Sequence, residues 1–376
     1  MPENGGKKLQ LARRARGFTQ MQLARMAGVS RQAISFIESG QSEPSLRVAL
    51  SLARGLGLTV EELFGPGAPP PYVRARLVAP LGIADSRVNL AQVGGAFVAL
   101  PLSGSAVASA GFLPASGVVH GVNAGDTLGS QSASPEGEWS ELTVQPVGPP
   151  RSTLVVAGSE PALPLLEPPL GLLDPRLTLS WWPCGSDEAI RLAMDGRAHA
   201  ASICMRRTHR EYSDGPMREL LRGGAKVIAF CSWRSGVVMR REVASAITDV
   251  ADLRRSDLRL ISITDRCGLT ESELAGLKSH PGPRASYAVH TTGHMQVAAA
   301  VAAGLADAAI AGEPAALAYG LAFMPMATVR SDLLVPPDSQ SSTVRTLLRI
   351  LSSPWLADQL GRLPGYDTSH CGEQIA

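Results

Sequence analysis

No stretch of this 376-residue chain approaches twenty apolar residues, and the opening MPENGGKK has no apolar core of the kind a secretion signal needs. The sequence therefore predicts a cytoplasmic protein with no membrane span. Cysteine is scarce: Cys184, Cys204, Cys231, Cys267 and Cys371 are odd in number and none stands in a CxxC spacing, which points to reduced thiols rather than a disulfide framework. Charged residues make up only 18%, but the 45% hydrophobic content excludes a disordered chain. There is no HExxH, no glycine-rich phosphate loop, no cysteine–histidine metal pattern and no nucleophile–base set at a recognisable spacing. The expectation is a protein that is not an enzyme and has no resident metal or cofactor.

What is present begins with Thr19 to Gly40. Apolar residues at Leu23, Ala24, Ala27, Val29, Ile34 and Ile37 fit two short helices closing on one small core. Gly28 stands where the first helix must end and turn, a position that favours positive φ. Ser30 follows as an N-cap for the second helix. The outer positions of that helix are Arg31, Gln32, Ser35 and Phe36. Arg and Gln pair bidentately with guanine and adenine edges in the major groove, so the pattern reads as a helix-turn-helix. Residues 1–64 hold nine basic and five acidic residues, whereas the remainder holds 26 and 28, so the positive charge lies where phosphates would be met.

This stretch resembles the phage-repressor and Cro-like (XRE) DNA-binding family from about Lys7 to Phe64. The resemblance rests on Gln20, the AxxAGVS turn, the IxxIESG helix end, the PSL that follows and the closing LGLTVEELF. It implies a structural ion pair between Arg13 and Glu38. The residues assigned to DNA are Thr19, Gln20, Ser30, Arg31, Gln32, Ser35 and Phe36, and the partner is a double-stranded operator bound by a homodimer.

Along the chain, 1–6 reads as a frayed tail, Leu9 to Arg16 as a first helix, and Ser45 to Leu56 as a fourth, with Leu46, Ala49, Leu52, Ala53 and Leu56 on one face. A short fifth helix follows Thr59. Residues 1–64 form the DNA-binding domain and 65–76 a proline-rich linker. Residues 77–150 carry short β-branched runs such as RVNLAQV, AFVALPL, GVVHGV and ELTVQPV, which predict a small antiparallel β module. Gly125 to Glu138 reads as a loop.

From 151 to 376 strands and helices alternate, predicting parallel strands with right-handed crossovers. The fold class is thus multidomain: an all-α helix-turn-helix domain, a small β module and a two-lobed α/β domain. Lobe I spans about 151–232 and 335–376, and lobe II about 233–334. Ser159 and Ser186 each follow a glycine at a strand end and each is expected to open a helix, where free N–H groups can hold an anion. The plain alternative is that both are simple N-caps.

LVVAGSEPALPLL, the CGS turn with MDGRAHAASI, WRSGVVM, HTTGHMQVAAAVAAGLADAAIAG and LPGYD together resemble the type 2 periplasmic-binding-protein (PBP) superfamily, which is similar to molybdate and tungstate binders. The resemblance implies that Ser159 and Ser186 hold a ligand. The loop DRCGLTES (Asp265 to Ser272) departs from a Gly-Ser-Gly-Thr-Arg-like anion loop; Arg266 and Thr270 remain as donors, but Asp265 would repel an anion. His294 and Tyr319 are the further candidates for ligand contact, each weighed against a capping or bracing role. The effector is then an oxyanion such as molybdate or tungstate, another small molecule, or none, in which case the α/β domain serves oligomerisation.

Overall fold

The computed structural model describes residues 4–64, 72–81, 86–104, 107, 111–120, 141–147, 152–206, 215–261, 293–337 and 341–375. It contains two compact units, Met1–Pro71 and Tyr72–Ala376.

The first unit is helical: α1 (Asn4–Ala15), α2 (Gln20–Ala27), α3 (Arg31–Glu38), α4 (Leu46–Leu56) and α5 (Val60–Phe64). They close on Leu9, Leu23, Ile34, Leu52, Leu56 and Leu63. Three caps fix the breaks. The Thr19 hydroxyl accepts from Gln22 N–H in a capping box, Ser30 caps α3 by accepting from Ala33 N–H at 3.1 Å, and Ser45 caps α4. Gly28, at φ 69, ends α2 in the left-handed conformation.

Two expectations are corrected. Helix α1 begins at Asn4, inside the stretch read as a frayed tail. A Cβ at Gly6 would stand 2.3 Å from the Ile37 carbonyl oxygen, so the glycine lets α1 lie against the end of α3. Leu46 is 73% exposed rather than on the buried face, because the stripe formed by Ala49, Leu52, Ala53 and Leu56 ends before it.

The second unit opens with a closed barrel of β1 (Val73–Leu77), β2 (Arg87–Val93), β3 (Ala96–Pro101), β4 (Gly117–Val119) and β5 (Glu141–Pro146), in the order β1-β3-β2-β4-β5. It is not wholly antiparallel, since β1 and β3 pair in parallel. That pairing closes the wall and leaves no free edge. One outer wall, including Ala91, Val93, Val98 and Leu100, shares a core with Val155, Trp182 and Leu192 of the α/β part. Arg76 donates to the Asp195 and Gly196 carbonyls at 3.1 and 2.8 Å, and Arg197 donates to Leu77 O at 2.9 Å. His199 accepts from Val155 N–H at 3.0 Å and also hydrogen-bonds the Gln92 backbone. The barrel is therefore rooted in the first half of the α/β sheet.

The α/β part adds β6 (Ser152–Ala157), α6 (Glu167–Leu173), β7 (Leu177–Trp182), α7 (Ser186–Met194), β8 (Ala200–Arg206), α8 (Gly215–Arg222) and β9 (Lys226–Met239). After it come β10 (Leu260–Ile261), α9 (His294–Ala302), β11 (Ala308–Gly312), α10 (Glu313–Ala318), β12 (Ala322–Val335), α11 (Ser342–Leu351) and α12 (Pro354–Gly361). One seven-stranded sheet runs β10-β11-β9-β12-β8-β6-β7. The expected parallel pairs β6–β7 and β6–β8 are present, whereas β9 and β12 run antiparallel to each other and to their outer neighbours. β12 takes in most of both LAFMPM and DLLVPP in one strand. Pro325, which cannot donate to a ladder, sits at a register shift between Pro325 and Ala327. Cys184, Cys204, Cys231 and Cys371 are free thiols.

Candidate functional site

On the helical unit, Arg31 and Gln32 occupy the first turn of α3 and are exposed, Ser35 is half-buried, and Phe36 is 42% exposed. This face rests on a buried ion pair. Arg13 Nε and Nη2 donate to the two Glu38 carboxylate oxygens at 2.6 and 3.0 Å, as the resemblance implied, and Arg13 Nη1 also holds Phe18 O at 2.8 Å. Gln20 Nε2 donates to Glu38 at 2.9 Å, so this side chain is tied to the same node. Burial alone would raise the Glu38 carboxyl, but hydrogen bonds from Arg13 and Gln20 and the Arg13 charge outweigh it and hold the group below its ordinary value. Arg13 is raised in turn, first by its bond to Glu38. Thr19 is committed to its capping box and Ser30 to its N-cap. Arg31, Gln32 and Phe36 are the assigned side chains that project most freely.

In the α/β part, β6 is followed by Gly158, whose φ of +143 favours glycine; an added Cβ would also lie 2.5 Å from Ser202 Cβ. Trp181 Nε1 fixes the turn by donating to Gly158 O at 2.8 Å. Ser159 is 2% exposed, and its Oγ lies 3.9 Å from Cys204 Sγ. Ser186, the first residue of α7, accepts from Cys204 N–H through Oγ at 3.1 Å. The two serines, from separate strand–helix turns, thus converge on one residue of β8. Ser159 does not open a helix as expected, because the first helical turn downstream starts at Leu163.

Glu160 fills the intervening role and was not singled out in the sequence. It is 0% exposed and accepts from Ala162 N–H at 3.0 Å, Trp233 Nε1 at 3.0 Å and the Tyr366 hydroxyl at 2.7 Å. The Cys231 thiol also bonds it; burial first, and then the Glu160 charge, push that thiol well up. The same two causes raise the Tyr366 phenol.

His294, at the start of α9, is buried, and Trp233 packs edge-on to it with ring centroids 4.8 Å apart. Its Nδ1 accepts from Gly312 N–H at 3.1 Å, so the neutral ring carries its proton on Nε2. Burial lowers its pKa to about 4. Tyr319 stands apart from this network as the 42% exposed C-cap of α10. Glu313, at the start of the same helix, accepts from Arg234 Nε at 2.7 Å through one carboxylate oxygen and from Arg234 Nη2 through the other. Arg266, Thr270 and the rest of DRCGLTES, the polar stretch His209 to Tyr212, and Gly125 to Glu138 lie outside the described residues. No helix of the described residues is long and apolar enough to cross a membrane.

Residues 9–63 match a helix-turn-helix family and residues 171–352 match the PBP superfamily domain. An uncharacterized HTH-type transcriptional regulator of Methanocaldococcus jannaschii is 42% identical over 57 residues, which are 15% of this chain and 86% of the relative. A second such regulator, from Archaeoglobus fulgidus, is 46% identical over 48 residues, 13% of this chain and 69% of its own length. The uncharacterized protein YvgK of Bacillus subtilis is 27% identical over 145 residues, 38% of this chain and 47% of that protein. Capped recognition helix, basic helical unit and these relatives agree: the chain belongs to the helix-turn-helix-type transcriptional regulators and carries a PBP superfamily domain after its DNA-binding unit.

Proposed function

We propose that the chain is a ligand-responsive regulator in which the PBP-like part senses a small molecule and the helix-turn-helix reports it on an operator. Arg31, Gln32, Ser35 and Phe36 read base edges, while Thr19, Gln20 and Ser30 set the helix against the backbone. As a homodimer, two recognition helices meet half-sites about 34 Å apart. Lobe I is 151–232 with 335–376, and lobe II is 233–334.

One observation supports the sensing role most strongly: Ser159 and Ser186 converge on Cys204 at the carboxyl ends of their strands. That is where open α/β sheets take ligands. An oxyanion such as molybdate or tungstate is the first effector class, with Arg266, Thr270, His294 and Tyr319 as further contacts. Glu160, directly after Ser159, weighs against a bare dianion and favours a ligand that offers hydrogen-bond donors. The second reading, an α/β part that binds nothing and serves oligomerisation, is motivated by Asp265.

Thermal melting of the full chain with millimolar molybdate, tungstate and a metabolite panel separates the two. A ligand that raises the melting temperature of the wild type, and not of Ser159→Ala or Ser186→Ala, supports sensing. No stabilisation by any ligand supports the second reading.

A further inference from the structure

The buried Glu160 carboxylate is tied to distant parts of the chain. Through Trp233 it reaches His294, and through His294 the backbone of Gly312. Through Tyr366 it reaches the C-terminal segment, which runs beside β9; Asp367 and Ser232 exchange both backbone hydrogen bonds at 2.8 Å. Gly365, one residue before Tyr366, has φ +84 and lies directly on α10. A Cβ there would stand 3.2 Å from Pro314 N and 3.3 Å from Glu313 Cγ. Three successive residues therefore touch lobe II at α10, lobe I at Glu160 and the crossing strand at Ser232.

We propose that Gly365–Asp367 is a hinge brace that sets the angle of lobe II, with Tyr366 as the positioning residue that acts through Glu160. Lobes joined by crossing strands rotate about a few residues of those strands. β9 and β12 are such strands, and the brace is a tie outside them. A buried carboxylate needs its donors. Rotation of lobe II that carries Gly365 along with α10 draws Tyr366 from Glu160 and strips one of its donors, which opposes departure from the present angle. The Trp233–His294 contact carries the same constraint to the first turn of α9. The brace requires no ligand, so it stands or falls separately from the sensing role.

Hydrogen–deuterium exchange on the full chain tests it, comparing wild type with Tyr366→Phe, which removes only the hydroxyl. The expected result is about tenfold faster exchange in α9 and β11, including the Gly312 amide, with β6 to β8 and the helical unit unchanged. Gly365→Ala, which presses the turn off α10 and keeps the hydroxyl, should give the same pattern and serves if Tyr366→Phe does not fold. Unchanged exchange in α9 and β11 would overturn the brace. So would acceleration spread evenly over β6 to β8 and β11, which marks a hydrogen bond that merely stabilises.

Discussion

Glu38 and Glu160 are both buried acids, and the two units satisfy them in opposite ways. Glu38 has a guanidinium across it and an amide beside it, with the arginine only 25 residues away. Glu160 has neutral donors, one 73 and one 206 residues distant. An ion pair holds a small helical unit in one arrangement that need not change while it reads DNA. A carboxylate bonded to an indole, a phenol, a thiol and an amide gathers segments that meet only when the whole α/β part has folded. Charge holds the output end rigid, and distributed neutral hydrogen bonds tie together the part proposed to move.

The widest separation between the units should come from acid. His199 and His294 both titrate near 4 in the folded protein, lowered chiefly by burial from an ordinary value of 6.5. Between those values the unfolded chain binds more protons, so stability rises with pH across the window and is lost as pH falls from 6.5 toward 4. Each histidine accounts for about 3 kcal/mol by the bottom of that range. Residues 1–71 contain no histidine. Their acid loss starts at Glu38, whose depressed pKa places its contribution above 4.5 and removes it below. Calorimetry at pH 5.5 should therefore show the α/β transition weakened and the helical one intact; equal weakening of both would break the comparison.

Arg13→Ala comes next in size. It strands the Glu38 carboxylate and should cost the helical unit about 3 kcal/mol, read by chemical denaturation, while the α/β transition stays in place. A loss under about 1 kcal/mol would show that the pair is solvated, as surface ion pairs are. Arg31→Ala and Gln32→Ala should each weaken specific operator binding by about 1–3 kcal/mol and leave nonspecific binding nearly intact. A mobility shift identical to wild type removes that residue from the reading face. Smallest is Ser30→Ala, which deletes the α3 cap and should destabilise the helical unit by about 1 kcal/mol.

The same contrast explains what the sequence revealed. The cap at Ser30, the glycine turn at Gly28 and the apolar spacing of α2 and α3 are all local, so the helix-turn-helix was readable from residues a few positions apart. β9 is a nearly unbroken apolar run, KVIAFCSWRSGVVM, whose one charged break is Arg234. In β12, Pro325 and the polar residues after it look like a break until the register shift accommodates them. β1 passed unnoticed because Arg74 and Arg76 alternate with its apolar positions. Ser159 and Ser186 were found through their glycines, but their meeting at Cys204 depends on β8, later in the chain, pairing beside β6. Glu160 looked like an ordinary acid in a first helical turn, and nothing within 70 positions of it names Trp233 or Tyr366 as its donors.

In the proposed regulator the state of the PBP-like part sets operator affinity. The direct measurement is the affinity of the full chain for a selected operator, titrated with the ligand that raises its melting temperature most. Coupling between the sites predicts a change of at least about fivefold at saturation, absent in Ser159→Ala. An affinity that stays constant at every ligand concentration, while the same ligand still raises the melting temperature, would contradict it.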